Sequence, residues 1–241
     1  MQRYFSINKE LELSKDDIHH ITKVMRMKKD DKIQIVFDKK VFLCNIDNIN
    51  SDNISYSVVK EIIENNELDV DITIAFAIVN ETKTDLILQK CTELGAHSFI
   101  GVNMKNSKVK LDKKEDKKIE RWNRILKEAS EQSYRTISPK VEGILSIKEL
   151  ANLPFDKKYV CSTKENEKTI KNVLQCASKY DKIIIVVGPE GGIDEKEEDF
   201  LEENGFERIT LGNTILRCET APIFVMSAVR YEFMRWKTCI I

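Results

Sequence analysis

A glycine-containing stretch near the end of the chain has the residue types of a ligand site. The stretch IIIVVGPEGGIDEKE (183–197) places three of the chain's eight glycines at 188–192, directly after its most apolar segment. Glycines after a buried strand let backbone approach a ligand, although a tight turn alone also requires them. The stretch does not match GxGxxG, and it lacks the Lys-Ser/Thr pair of a phosphate loop.

The charge of this region narrows the class of ligand. Residues 190–207 contain nine Asp or Glu and one Lys, which would repel phosphate groups. A nucleoside triphosphate is therefore disfavoured, whereas a ligand with a positive centre is compatible with the stretch.

A second glycine turn, LGNTILR (211–217), follows the next predicted strand. Ligands of open α/β sheets bind at the carboxyl ends of strands, so two such turns predict one crevice. Arg217 and Glu219 follow at its rim. They are either a functional cation and anion or a surface ion pair that contributes little to stability.

A third candidate site is basic. Residues 105–140 contain twelve Lys or Arg and six Asp or Glu, with Trp122 and Tyr134 among the arginines. This pattern suits a phosphate backbone and unstacked bases, and a solvated helix face is the alternative. The segment HHITKVMRMKK (19–29) adds basic residues, but its adjacent histidines diverge by about 100° on a helix and form no metal motif.

The elements that position these residues change in type near residue 70. Residues 1–68 predict a small barrel or sandwich, with a helix over 14–24 and strands at 33–37, 41–46 and 53–60. Residues 64–70 read as a linker. From 70 onward strands and helices alternate, which predicts a parallel sheet covered on both faces. The predicted strands are 71–79, 98–102, 158–162, 182–188 and 207–212, and the predicted helices are 84–96, 115–133, 165–178, 194–205 and 219–236.

Composition bounds the class of protein. The 241 residues carry a formal net charge of −1, with 41% hydrophobic and 33% charged residues, as in globular domains. No apolar run reaches the roughly 18 residues of a membrane helix, and the N-terminus has no signal core, so we expect a cytoplasmic protein. The six cysteines form no CxxC pair, which favours free thiols.

Together these motifs resemble one family. GPEGGIDEKE followed by LGNTILRCETA resembles the signature of SPOUT-class bacterial methyltransferases that modify N3 of a uridine in 16S ribosomal RNA, the RsmE type. The likeness extends to ETKTDLILQKCTELGA (81–96), RWNRILKEASEQSYR (121–135) and HHITKVMRMKKDDKI (19–33). These segments occur in the family's order and span nearly the whole chain.

The resemblance implies an α/β fold with two domains. Residues 1–68 would be a PUA-like RNA-binding β-barrel. Residues 70–241 would be a SPOUT domain with a parallel sheet and a C-terminal trefoil knot, and the protein would work as a homodimer. The turns would bind S-adenosylmethionine through Ser162, Gly188, Glu190, Gly191, Gly192, Leu211, Gly212, Ile215, Leu216 and Arg217.

The implied reaction assigns roles to the charged residues. Arg135 or Arg217 would stabilise charge on the target base, and Glu219 would either accept the N3 proton or hold Arg217. The substrate would be 16S rRNA in the small ribosomal subunit, with no metal and no membrane. RNA contacts would come from His20, Arg26, Lys28, Lys108, Lys110, Arg121 and Arg124.

Two positions depart from the family pattern. The family usually has Arg at the position of Thr214 and Lys at that of Asn80, which leaves the RNA contacts less defined than the glycine turns. Three other functions stay open on the sequence: the same chemistry on another RNA position, a non-catalytic RNA-binding protein, and an enzyme that binds a nucleotide in the crevice.

Overall fold

The computed structural model describes residues 1–50, 53–109 and 115–234. The chain divides into two units, one of Met1–Glu67 with Lys127–Ser138 and the other of Leu68–Leu126 with Pro139–Ile241. The segment 127–138 thus groups with the N-terminal residues. The predicted domain limits of 1–68 and 70–241 stay a prediction.

The N-terminal unit contains a four-stranded sheet in the order β1-β2-β3-β4. β1 pairs parallel with β2, and the other pairs are antiparallel. Tyr4, Ile33, Ile35 and Ile46 lie in its core. β1 was not predicted from the sequence because it has only four residues. Closure of the sheet into a barrel stays a prediction. The strands are β1 Gln2–Phe5, β2 Lys32–Phe37, β3 Lys40–Ile49 and β4 Ile54–Ile62.

The predicted helix over 14–24 is present but changes its hydrogen bonding midway. Ser14 caps α1 (Lys15–His19) by accepting from the Asp17 amide, and Asp17 completes a capping box. His20–Val24 then continue as a π-helical turn, the type of irregularity that is frequent at functional sites.

The second unit contains six parallel strands in the order β10-β8-β9-β5-β6-β7, which confirms the predicted parallel sheet. β7 was not predicted from the sequence, because a glycine interrupts its short run VEGILS and much of it is half-exposed. The strands are β5 Asp71–Ala77, β6 Ser98–Asn103, β7 Val141–Ser146, β8 Lys157–Cys161, β9 Lys182–Val187 and β10 Glu207–Ile209.

Helices cover both faces of this sheet, as predicted. Alternate residues of one strand face opposite cores: Ile185 packs with one cluster, and Ile184 and Val186 pack with the other. The first core receives residues of α2, α3, α5 and α7, and the second receives residues of α4 and α6. The helices are α2 Glu81–Glu93, α3 Glu115–Gln132, α4 Ile147–Ala151, α5 Ile170–Gln175, α6 Glu195–Glu203 and α7 Thr220–Phe233.

The helix predicted over 165–178 is shorter in the structure. Glu165 accepts hydrogen bonds from the amides of Glu167 and Lys168, which holds those residues in a turn. Thr169 then caps α5 in a capping box with Asn172. Local side-chain bonds thus end the helical pattern early. In the part of the chain that the structure describes, no helix is long and apolar enough to cross a membrane.

A partly buried charge cluster lies in the N-terminal unit. Lys127 Nζ lies 2.5 Å from Asp17 Oδ1 and 3.5 Å from Glu131 Oε1. Glu131 also accepts a hydrogen bond from the Phe5 amide at 3.2 Å. Burial raises the pKa of Glu131 from 4.5 to about 7, despite the nearby ammonium of Lys127.

We therefore expect a pH-dependent stability difference between wild type and Glu131→Gln. A carboxyl whose pKa is raised on folding contributes stability below its unfolded pKa, and this contribution is lost as pH rises through about 7. The glutamine oxygen can still accept from Phe5. Urea unfolding should thus show Glu131→Gln gaining about 2 kcal/mol relative to wild type between pH 5 and pH 8. Parallel pH profiles of the two proteins would contradict the raised pKa.

Candidate cofactor-binding cavity

A cavity of about 730 Å³ lies at the carboxyl ends of β8, β9 and β10. Its walls are the segments 161–166, 187–193 and 210–218, each of which follows one of these strands. The order β10-β8-β9 makes the three strand ends neighbours. The two glycine turns therefore share one crevice. Its lining includes every residue predicted to hold the cofactor: Ser162, Gly188, Glu190, Gly191, Gly192, Leu211, Gly212, Ile215, Leu216 and Arg217.

Two glycines are required by the geometry of the cavity wall. A Cβ at Gly188 would lie 2.7 Å from Ile193 Cγ1, closer than real Cβ atoms come, and 3.2 Å from the Ile193 backbone nitrogen, tighter than most Cβ contacts. Gly212 has φ of +116°, a conformation that side-chain-bearing residues rarely adopt. Both turns thus depend on glycine for steric reasons.

The loop after β6 supports the first glycine turn. Asn106 Nδ2 donates to the Gly192 carbonyl at 3.1 Å, and Lys105 Nζ lies 2.5 Å from Asp194 Oδ2. Asp194 is the N-cap of α6. Asp194 and Glu197 have the D-x-x-E spacing of a capping box, but Glu197 instead accepts the Lys105 amide at 2.9 Å. A contact between distant segments has replaced the local one, which the capping pattern could not reveal.

Lys83 joins both turns, and sequence analysis did not single it out. Its Nζ lies 2.8 Å from Glu190 Oε1 and 3.5 Å from Glu219 Oε2, with Cys218 Sγ at 3.9 Å. The hydrogen bond from Lys83 lowers the pKa of Glu190. Burial acts to raise the pKa of Glu219, but the Cys218 thiol, a backbone amide and Lys83 together lower it. Both carboxylates are therefore charged at neutral pH.

One of the two roles predicted for Glu219 was to hold Arg217, but the structure places Glu219 beside Lys83 instead. Arg217 lines the cavity with an exposed side chain, and its carbonyl accepts the amides of Thr220 and Ala221 at the start of α7. The chain direction explains the difference, because Glu219 points from the helix start toward α2. The role of Glu219 in fixing Arg217 is thus not supported.

Arg135, the other predicted catalytic cation, forms an ion pair with Glu67 within the N-terminal unit. Its guanidinium is buried in the N-terminal unit and donates to Glu67 Oε2 at 2.6 and 3.1 Å. Glu67 also accepts the amides of Thr136 and Ile137. Burial acts to raise the pKa of Glu67, but the Arg135 guanidinium and the amides of Thr136 and Ile137 together lower it. Arg135 is not among the cavity-lining residues of this chain, and the contact with Glu67 argues against the catalytic role.

The prediction that Trp122 stacks on bases is wrong. Trp122 is 2% exposed and packs edge-on against Phe76, with ring centroids 5.6 Å apart. It points inward from α3 because its helical position faces the sheet. Tyr134 is exposed, but Arg3 lies 4.9 Å from its ring centroid.

The predicted RNA-binding residues differ in their contacts. Arg121 donates to Asp85 Oδ1 at 2.9 Å, and His20 Nδ1 lies 3.0 Å from the Tyr4 hydroxyl. The side chains of four others are exposed, namely Arg26, Lys28, Lys108 and Arg124. Lys110 lies outside the described residues.

Comparison with known proteins assigns the class. Residues 66–230 match the model of an RNA methyltransferase domain, and residues 13–57 match that of an RNA methyltransferase PUA domain. The parallel sheet, its cavity and these two matches define a two-domain RNA methyltransferase.

Its relatives specify the family. The chain is 38% identical to ribosomal RNA small subunit methyltransferase E of Bacillus subtilis, with 96% of this chain and 97% of that protein covered. It is 31% identical to the Mesomycoplasma hyopneumoniae protein of the same name, covering 94% and 98%. The chain therefore belongs to the ribosomal RNA small subunit methyltransferase E family.

A solved relative shares the whole fold. The Neisseria gonorrhoeae ribosomal RNA small subunit methyltransferase E, crystallised with bound S-adenosyl methionine, aligns with a TM-score of 0.86 at 28% identity. The alignment covers 97% of this chain and 98% of the other.

Proposed function

We propose that this chain transfers the methyl group of S-adenosylmethionine to N3 of a uridine in 16S ribosomal RNA of the small subunit. The observation that carries the proposal is the cavity where β8, β9 and β10 end, whose lining contains all ten residues expected to hold the cofactor. The family membership and the ligand of the Neisseria gonorrhoeae relative support the coarser part of this proposal, methylation of small-subunit ribosomal RNA with S-adenosylmethionine.

The residues of the cavity fit this cofactor. Its volume of about 730 Å³ is in the range of small-molecule sites. Gly188 lets the turn fold closely against Ile193, where a Cβ would collide, and Leu211 and Leu216 offer apolar contact. Glu190 and the buried Glu198 add carboxylates to the wall, which suits a ligand with a positive centre.

The chain would contribute positioning and charge. The bound cofactor supplies a methyl group activated by its positive sulfur. The glycine turns would fix that group in line with the attacking nitrogen, which accounts for much of the rate in such displacements. Arg217, exposed at the cavity, would stabilise the negative charge that develops on the uridine carbonyl oxygens as N3 loses its proton.

The acceptor of the N3 proton is Glu219 or water in this proposal. Glu219 lies at the start of α7, beside cavity-lining Cys218. Because its pKa is lowered, it is ionised but a weak base, and its contact with Lys83 competes for its lone pairs. A water molecule that Glu219 orients would accept the N3 proton in its place.

The target base must be unpaired or turned out of its helix, because N3 lies on the Watson–Crick edge. We propose residues 1–68 as the RNA-binding domain, contacting phosphates through exposed Arg26 and Lys28. Lys108 and Arg124 would extend the contact from residues 70–241. With a ribosomal substrate, the proposed location of the protein is the cytoplasm.

We further propose that the C-terminal part of residues 70–241 forms a trefoil knot. After β10 the chain turns at Gly212 and lines the same cavity as Ser162. It then enters α7, which packs against the earlier helices α2 and α5. The packing of this C-terminal helix against helices that precede it in the sequence supports this topology.

A homodimer would account for the surface of α7. Phe224 is 40% exposed and Tyr231 is 77% exposed, and the two lie about two turns apart on the same side of the helix. Ile215, which precedes α7 in the sequence, is 85% exposed and lines the cavity. Apolar surface of this kind commonly marks an interface, and a second copy would cover it beside the site.

The reaction is tested by incubating the protein with small ribosomal subunits from a strain that lacks its gene and with methyl-labelled S-adenosylmethionine. We expect label in 3-methyluridine after nucleoside analysis. Label in another nucleoside would move the target within RNA, and cofactor binding without transfer would indicate a non-catalytic RNA-binding protein. Absence of cofactor binding would overturn the methyltransferase proposal.

We expect Gly188→Ala to weaken S-adenosylmethionine binding at least tenfold, because the new Cβ collides with Ile193 and displaces the turn. Isothermal titration calorimetry measures the change. Gly205→Ala is the matched control: its φ is +86°, so it carries a backbone penalty of about 1 kcal/mol, but it lies outside the cavity. Equal affinity losses in both variants would trace the effect to general destabilisation.

The dimer is tested with the double variant Phe224→Glu and Tyr231→Glu. Two charges on the proposed contact should shift the light-scattering mass from two chains to one, since both side chains are exposed and the fold is retained. Val58→Glu, at a 51% exposed position of the N-terminal unit, serves as control. A wild-type mass of one chain refutes the proposal.

A further inference from the structure

Lys83 occupies a fixed place at the start of α2. The Asn80 side chain caps the helix by accepting the Lys83 amide at 3.0 Å. The Lys83 side chain is 26% exposed and extends to the cavity wall. Its backbone is therefore anchored, and only the flexible stem separates that anchor from the ammonium.

The ammonium meets two carboxylates from segments that are far apart in the sequence. Glu190 belongs to the turn after β9, and Glu219 precedes α7. Their side chains are 28% and 13% exposed, so water screens them only in part. Two like charges on facing turns repel each other, and the ammonium between them offsets this repulsion.

We propose that Lys83 is a positioning residue for methyl transfer, which holds the two cofactor turns at their working separation through Glu190 and Glu219. This inference rests on the proposed function. Lys83 acts through both carboxylates: Glu190 belongs to the turn that contains Gly188, and Glu219 follows Arg217 by two residues. A shift of either turn displaces the methyl donor relative to Arg217.

The role predicts which kinetic parameters change. Without the ammonium, two carboxylates face each other at the cavity, and the turns move apart. Cofactor affinity and kcat should both fall, since alignment of the reacting atoms is lost. The KM for RNA should change little, because Lys83 is not among the proposed RNA contacts.

The experiment compares Lys83→Met, Lys83→Arg and the double variant Lys83→Met with Glu219→Gln. We expect Lys83→Met to weaken S-adenosylmethionine binding about tenfold and to lower kcat at least as much, as for a lost charge-assisted hydrogen bond. Lys83→Arg should restore most of the affinity. The double variant should bind the cofactor better than Lys83→Met, because removing one carboxylate removes the repulsion.

Lys90→Met provides the control on the same helix. Lys90 pairs with Glu93 at 2.8 Å, outside the cavity, so its loss should leave affinity and kcat unchanged. If Lys83→Met and Lys90→Met had the same cofactor affinity and the same kcat, the inference would be overturned. Wild-type turnover would still support the proposed methyltransferase function. A rise confined to the KM for RNA would also overturn it, because it would make Lys83 a substrate contact. Failure of wild type to bind the cofactor would instead refute the proposed function.

Discussion

Parallel pairing of β8 with both β9 and β10 is the constraint on which the site depends. Parallel strands end at the same edge of a sheet, so three loops that are distant in sequence meet there. β9 also pairs with β5 and is buried on both faces, which fixes its end firmly. The turn at Gly188 therefore begins at a well-anchored strand end, and the sheet determines the shape of the cavity.

Charge at the cavity is organised by contacts across the fold. The acidic character of residues 190–207 is visible in the sequence, but its distribution is not. Glu190 and Glu219 are held by Lys83, whereas Asp194 is held by Lys105. Each contact joins a loop to a different element, so the ion pairs also brace the cavity wall. Arg217 is left exposed at the same wall, where a substrate can meet it.

Burial separates structural from surface arginines in this protein. Arg3 is buried and donates to Gln34 Oε1 and to the carbonyls of Tyr134 and Arg135. Arg135 is paired with Glu67 in the same unit. These arginines donate hydrogen bonds to carbonyls and a carboxylate that burial keeps from water. Their role is therefore structural. Arg26 and Arg124 are exposed, as their proposed role in binding RNA requires.

The sequence by itself determined the elements with strong periodicity and the glycine turns, because apolar alternation and glycine spacing are local signals. The ten residues that the family resemblance implies for cofactor binding all line the cavity, and all but Ser162 belong to the two glycine motifs. Sequence analysis missed β1 and β7, which are short, and it extended α5 across residues that the Glu165 side chain holds in a turn. Only the tertiary structure decided that Trp122 is core, that Glu219 meets Lys83 and that Arg135 meets Glu67. These are contacts between segments separated by many residues, and charge or aromatic type alone does not reveal which partner a side chain finds.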